Sequence, residues 1–153
     1  MPPYPHVPKS TKSLRPGEFW PILLPSGRFA CGRVVELSPP DGVSPSRSFL
    51  AGVIDWTGAE RPTGEAIAGR PCVYQTVVHI KAITHRGEKI VGYRSLEADG
   101  IEPWRMVDGD EVRLGFKRVR RFDPRKDRGL PSFGYAGYDF VDAKAAYVLE
   151  KTA

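Results

Sequence analysis

The chain is poor in the side chains that most often bind metals or act as nucleophiles. Its 153 residues include three histidines and two cysteines. None of these five stands in the i, i+4 or paired-cysteine spacing of a zinc site. Two cysteines, Cys31 and Cys72, are too few for a disulfide framework. We expect both thiols to be reduced and partly buried, although one bridge between them is compatible with the sequence. The sequence therefore predicts no metal site and no cofactor.

Motifs of known catalytic centres are also missing. The chain has no Gly-x-Ser-x-Gly elbow and no glycine-rich phosphate loop. Cys31 could be paired with His79 or His85 as a nucleophile and base. However, Cys31 lies in an apolar run, where burial suppresses formation of the thiolate. We expect no catalytic residue, and hence a protein that is not an enzyme.

No apolar run approaches the length needed to cross a membrane. The first ten residues, MPPYPHVPKS, lack the apolar core of a signal peptide. These observations predict a cytoplasmic protein with no membrane partner. The prolines at the start predict an extended or disordered arm over residues 1–13. Residues 14–153 are then expected to form a single β-rich domain.

Glycine and proline are abundant, with 16 and 15 copies, and predict many turns between short strands. The clearest element is a β-hairpin over residues 15–36, in which two apolar runs flank Pro25-Ser26-Gly27. Proline presets φ for a turn, and glycine accepts positive φ. Six or more such strands predict a mainly β fold, either a small antiparallel barrel or a sandwich. An α+β fold is the alternative.

Further strands are predicted along the chain. Residues 49–56, FLAGVIDW, are apolar without alternation, which is typical of a central strand. Residues 73–84 and 89–94 predict a second hairpin that turns at His85-Arg86-Gly87. Val112, Leu114 and Phe116 alternate with polar residues, as in a half-buried strand.

Two segments favour helix instead. A short helical turn is predicted near residues 65–68, within a stretch rich in small residues. Alanines over residues 141–151 favour a C-terminal helix.

Two sets of side chains are candidates for contact with a partner. Trp56 follows Asp55 directly before a loop, and a tryptophan at a strand end can anchor an interface. Asp108, Asp110 and Glu111 share one turn and present an acidic face. Carboxylates on one turn do not face each other across a cleft, as glycoside hydrolysis would require.

The strongest charge feature is residues 117–128, KRVRRFDPRKDR, with seven basic and two acidic side chains. An aromatic within a basic stripe can stack on a nucleobase, so this segment could contact nucleic acid. The favoured interpretation is a solvated edge strand and loop whose charge prevents aggregation, since no known nucleic-acid-binding motif is present. The residues that would contact nucleic acid are Lys117, Arg118, Arg120, Arg121, Phe122 and Arg125.

Residues 15–105 contain several short motifs that are informative together. They begin with Pro16-Gly17-Glu18-Phe19 and Pro21-Ile22, and continue through residues 24–30, LPSGRFA, to Gly32-Arg33-Val34. The run Gly52-Val53-Ile54-Asp55 and residues 88–92 follow. These motifs resemble the bacterial immunity protein 26 family, in which the run is similar to the next strand and residues 88–92 are similar to a later hairpin.

This resemblance implies a β-rich, non-enzymatic protein that binds one toxin of a polymorphic toxin system and blocks it. Affinity in such an interface comes from a few aromatic or arginine anchors, and charge complementarity speeds the encounter. Toxins of this kind are often basic nucleases, which a basic inhibitor with a net charge of +5 would repel. The partner is then of another kind, or the contact is made by the acidic face of Asp108, Asp110 and Glu111. A nucleic-acid-binding domain is the second hypothesis, and an enzyme with an unrecognised site is the last.

Overall fold

The computed structural model describes residues 3–40 and 45–150 of the chain. The fold is mainly β, as predicted, with two antiparallel sheets and a C-terminal helix, and neither sheet closes into a barrel. The first sheet contains β1 (Glu18–Leu23), β2 (Phe29–Leu37), β3 (Ser48–Ile54), β4 (Cys72–His79) and β5 (Gly92–Tyr93), in the order β4-β3-β2-β1-β5. The second contains β6 (Arg105–Asp108), β7 (Glu111–Leu114) and β8 (Lys117–Arg121), in chain order. The helices are α1 (Gly64–Ile67), α2 (Lys81–Thr84) and α3 (Phe140–Glu150).

The first hairpin is confirmed. Strands β1 and β2 pair antiparallel from Phe19 opposite Arg33 to Leu23 opposite Phe29. Gly27 has a φ of +88°, which only glycine adopts without strain, and its N–H donates to the Leu24 carbonyl at 2.9 Å. The turn residues therefore close the hairpin for the reason that the sequence indicated.

Both faces of the five-stranded sheet are covered, which explains why β3 reads as a continuous apolar run. Alternate residues of β3 join two different buried clusters, Phe49 and Ala51 in one, Leu50 and Ile54 in the other. Helix α3 contributes to the first cluster, and the three-stranded sheet contributes Met106 to the second. The central strand predicted at residues 49–56 is thus an interior strand, fully buried from Ser48 to Ile54.

The predicted second hairpin is wrong. Strand β4 ends at His79, and residues 81–84, which were expected to be extended, form α2. Strand β5 then pairs with β1, with Glu18 opposite Tyr93, and not with β4. Burial of Ala82 and Ile83 outweighs the strand propensity of the local sequence. The predicted helices near residues 65–68 and 141–151 are found as α1 and α3, with residue 151 outside the described residues.

Residues 3–13 of the predicted arm lie against the domain. His6 and Ile90 exchange two backbone hydrogen bonds of 3.0 Å, so the arm forms one antiparallel bridge with the residues just before β5. The Tyr4 hydroxyl donates to Glu18 Oε2 at 2.9 Å, and the Glu18 carboxylate is fully buried. A one-turn 3-10 helix, Thr11–Ser13, leads into β1. This part of the chain therefore packs on the first sheet and does not project from it.

Candidate partner-binding site

Trp56 lines a groove where the five-stranded sheet meets the C-terminal helix. Asp55, Trp56, Thr57, Arg70 and Leu149 surround a volume of about 310 Å³, and we call this feature the Trp56 groove. Strands β3 and β4 are antiparallel, with Ile54 opposite Cys72, so the residues after β3 lie beside those before β4. The Asp55 N–H donates to the Pro71 carbonyl at 2.9 Å and fixes this arrangement.

The side chains of the Trp56 groove combine an aromatic surface with one charge of each sign. Trp56 is half-buried, and its indole lies on Gly58, where a Cβ atom would stand 2.4 Å from the ring. Asp55 and Arg70 are exposed. Within residues 3–40 and 45–150, neither of them forms an ion pair. Tryptophan and arginine are the residue types most enriched among those that dominate binding energy at interfaces.

A buried ion pair holds the backbone next to Arg70. Arg33 Nη1 lies 2.7 Å from Asp99 Oδ2, and neither side chain is exposed to solvent. The other oxygen of Asp99 accepts a hydrogen bond of 2.9 Å from the Gly69 N–H. Arg94 donates to the same carboxylate and, with Gly69 and Arg33, holds the pKa of Asp99 well below its usual range. Asp99 therefore remains ionised and ties the residue before Arg70 to the centre of the sheet.

The acidic turn predicted as a binding face is partly neutralised within the chain. Asp108 Oδ2 accepts from Arg113 Nε at 2.8 Å. Glu111 Oε1 lies 2.9 Å from Arg118 Nε. Asp110 is exposed and has no ion pair among the described residues. This turn joins β6 to β7 in the three-stranded sheet, whereas Asp55 and Trp56 follow β3 in the other sheet. The two sets of predicted contact residues belong to different sheets.

The basic segment, residues 117–128, contains β8 and the loop after it. All five residues of β8 are exposed, and β8 is the edge strand of its sheet. Arg118 is paired with Glu111, and both terminal nitrogens of Arg120 contact the buried carboxylate of Asp127. Phe122 is half-buried, and its N–H donates to the Asp110 carbonyl at 2.7 Å. The predicted edge strand is therefore present, with two of its cations held by intramolecular partners.

Both cysteines are free thiols. Cys31 is fully buried in β2, and burial raises the pKa of its thiol far above the usual range. Burial also raises the pKa of Cys72 to about 11. Since the thiolate is the nucleophilic form, neither group is activated in this fold. The reduced thiols predicted from the sequence are found, with Cys31 buried and Cys72 partly buried, and no bridge joins them.

The three histidines lie in separate surroundings. His6 Nε2 is 3.0 Å from the buried Glu18 carboxylate, and the His79 Nδ1 accepts from the Lys81 N–H at 3.0 Å. His85 Nε2 is 3.1 Å from Asp142 Oδ2 on α3. In residues 3–40 and 45–150, no three side chains of the metal-binding types converge on one point.

Arg70 and Leu149 are members of the Trp56 groove that sequence reasoning missed. Arg70 stands in a glycine-rich stretch without periodicity, and Leu149 is 93 positions from Trp56 along the chain. A signal for Arg70 existed, because two strands joined by one loop and paired antiparallel bring the ends of that loop together. No comparable local signal identifies Leu149.

Comparison with known proteins gives no relative: no family model matches the chain, and no curated protein or solved structure matches it. Among the described residues, no helix is both long enough and apolar enough to cross a membrane.

Proposed function

We propose that this chain is a bacterial immunity protein, which binds a cognate toxin in the cytoplasm and neutralises it through protein–protein contact without catalysis. The observation that supports this proposal most is the Trp56 groove. It presents a half-buried indole together with Asp55 and Arg70, which form no ion pair with any other described residue. The resemblance of residues 15–105 to the immunity protein 26 family supplies the class of partner.

The contacts that hold the walls of the groove support the same proposal. Its walls are the end of an interior strand, the backbone held by the buried Asp99 carboxylate, and a residue of α3. An anchor that is already ordered loses less conformational entropy on binding than a flexible side chain does. The groove is thus suited to recognise a preformed surface on a folded partner.

Replacing Trp56 by alanine is expected to weaken binding of the toxin encoded beside this gene by about 30-fold or more. Trp56 is the aromatic side chain among the residues that line the groove, and its loss leaves the partner surface without that anchor. Growth rescue on co-expression with the toxin, followed by titration calorimetry of the purified pair, measures the effect. The matched control is Trp104→Ala, because Trp104 is also half-buried but lines a different groove.

Two outcomes contradict the proposal. Failure of the wild-type chain to rescue growth would show that the adjacent toxin is not its target. Equal losses for Trp56→Ala and Trp104→Ala would show that the Trp56 groove has no special part in binding.

Nucleic-acid binding through the basic segment is a second candidate, and the distribution of charge favours it. The segment alone has a net charge of +5, and the other 141 residues carry sixteen basic and sixteen acidic side chains. If this segment binds phosphates, the affinity for a single-stranded oligonucleotide falls steeply and linearly with the logarithm of salt concentration. Fluorescence anisotropy at salt concentrations from about 50 to 200 mM would measure the slope. An absence of measurable binding at the lower concentration removes this candidate.

A further inference from the structure

The outer edge of β8 has no partner strand among the described residues. Strand β8 pairs only with β7, and its backbone makes no other backbone hydrogen bond within residues 3–40 and 45–150. All five of its residues are exposed, including Val119 at 38%. A row of unpaired N–H and C=O groups is a template for another extended polypeptide.

The charge of this edge is unbalanced. Arg118 and Arg120 are occupied by Glu111 and Asp127, but Lys117, Arg121 and Arg125 have no ion pair in the described part of the chain. These unpaired cations stand at both ends of β8 and in the loop that continues it. The edge therefore offers backbone hydrogen bonds together with uncompensated positive charge.

We propose that the outer edge of β8 binds an acidic, extended segment of a protein partner by strand addition. This inference rests on the proposed function only in taking the partner to be a protein. Backbone complementarity favours a polypeptide over nucleic acid, because a phosphate backbone supplies acceptors for the N–H groups but no donors for the carbonyls. In this proposal the Trp56 groove binds the partner elsewhere on the surface, and the positive charge of β8 favours a partner whose extended segment is acidic.

The same charge excludes a second copy of the chain from this edge. Two β8 edges brought together would place basic residues opposite basic residues, which destabilises strand pairing. An acidic strand instead meets the unpaired cations Lys117 and Arg121 at the ends of β8. Charge that protects an edge from self-association thus leaves it open to a strand of the opposite sign.

The test uses the full chain and a peptide of about ten residues in which glutamate alternates with threonine. A peptide of this length spans β8 and extends beyond both of its ends. We expect the peptide to shift the amide resonances of Lys117–Arg121 and to slow their hydrogen exchange. Removing the two unpaired charges that lie within β8, in the double variant Lys117→Gln/Arg121→Gln, is expected to weaken binding by about five- to tenfold. The double variant Lys12→Gln/Lys89→Gln, which changes exposed cations outside the segment, is expected to bind as the wild type does.

Several results would overturn the proposal. The first is that a peptide with lysine in place of glutamate binds as tightly. The second is that the resonance shifts are confined to residues outside β8. The third is that a ten-nucleotide single strand binds more tightly than the acidic peptide. Toxin neutralisation that is lost in Trp56→Ala but kept in Lys117→Gln/Arg121→Gln would reject the β8 edge and leave the proposed function standing. Peptide binding at β8 without any toxin neutralisation would reject the proposed function alone.

Discussion

Replacing Arg33 by methionine is expected to lower the free energy of unfolding by about 3–5 kcal/mol. The guanidinium is fully buried and reaches Asp99 Oδ2 at 2.7 Å. Its other terminal nitrogen donates to the Gly17 and Arg94 carbonyls at 3.2 and 2.6 Å. Methionine fills similar volume but leaves the Arg94 carbonyl and one side of the Asp99 carboxylate without these donors, whereas the Gly17 carbonyl still accepts from the Arg94 N–H at 3.1 Å. Arg94 still contacts that carboxylate, which places the expected loss towards the lower end of the range.

The matched control is Arg61→Met. Arg61 forms two hydrogen bonds of 3.0 Å with Glu88, so the chemistry of the pair is the same, but its side chain is 59% exposed. An exposed pair of this kind contributes less than about 1 kcal/mol. Urea unfolding followed by circular dichroism measures both variants at neutral pH. If Arg61→Met costs as much as Arg33→Met, burial is not what makes the Arg33 pair important.

The effect of Arg33→Met should also depend on pH. Asp99 has a lowered pKa in the folded state, so the stability that it contributes is present above its unfolded pKa of about 4 and is lost as the pH falls below that value. The difference in free energy of unfolding between the wild type and Arg33→Met is therefore expected to become smaller below about pH 4. Unfolding curves from pH 7 to pH 3, taken in steps of about one unit, would show the narrowing.

Local signals in the sequence were sufficient where an element depends on its own residues. The turn at Pro25-Ser26-Gly27, the alanine-rich C-terminal helix and the apolar run of β3 were all predicted close to their observed bounds. In each case propensity, turn chemistry and hydrophobic pattern agree with the final structure. Where all three local signals indicate the same structure, the structure of a segment can be predicted without knowledge of its tertiary contacts.

Pairing over a distance was not predictable in the same way. Strand β5 contains only Gly92 and Tyr93, and its partner β1 lies about seventy residues earlier in the chain. Nothing in a two-residue strand specifies which edge it joins. The sequence therefore predicts pairing with the nearest extended segment, β4, and that prediction is wrong.

The candidate site also contains residues that local sequence predicts and residues that depend on strand pairing. Asp55 and Trp56 were recognised because they follow an apolar strand, and the structure brings them into one groove. Arg70 could be placed there only through the register of β3 and β4. Arg33, a charged residue within a run of buried strand positions, was a sign of a buried partner, but the sequence does not indicate that Asp99 is that partner.

The three tryptophans show how similar sequence settings lead to different roles. Trp20 is fully buried, and its ring lies over Gly32, where a Cβ atom would stand 2.4 Å away. It also meets Phe49 edge to face, with ring centroids 5.8 Å apart. Trp56 and Trp104 are only half-buried. All three stand in or at the end of apolar runs. The position of Trp56 directly before a loop distinguishes it, but the sequence does not separate the core Trp20 from the half-buried Trp104.

Replacing Trp20 by alanine is expected to lower the free energy of unfolding by about 3–5 kcal/mol, because it opens a cavity in the first cluster that the sheet cannot close. Trp56→Ala should cost less, about 1–2 kcal/mol, since that indole is partly exposed and packs against the second cluster without being a buried member of it. Urea unfolding monitored by far-ultraviolet circular dichroism compares the two without relying on tryptophan fluorescence. Equal losses would mean that Trp56 is a core residue, and a binding defect in Trp56→Ala would then report unfolding. A folded Trp56→Ala that fails to bind, beside a destabilised Trp20→Ala, would place Trp56 in recognition and Trp20 in the core.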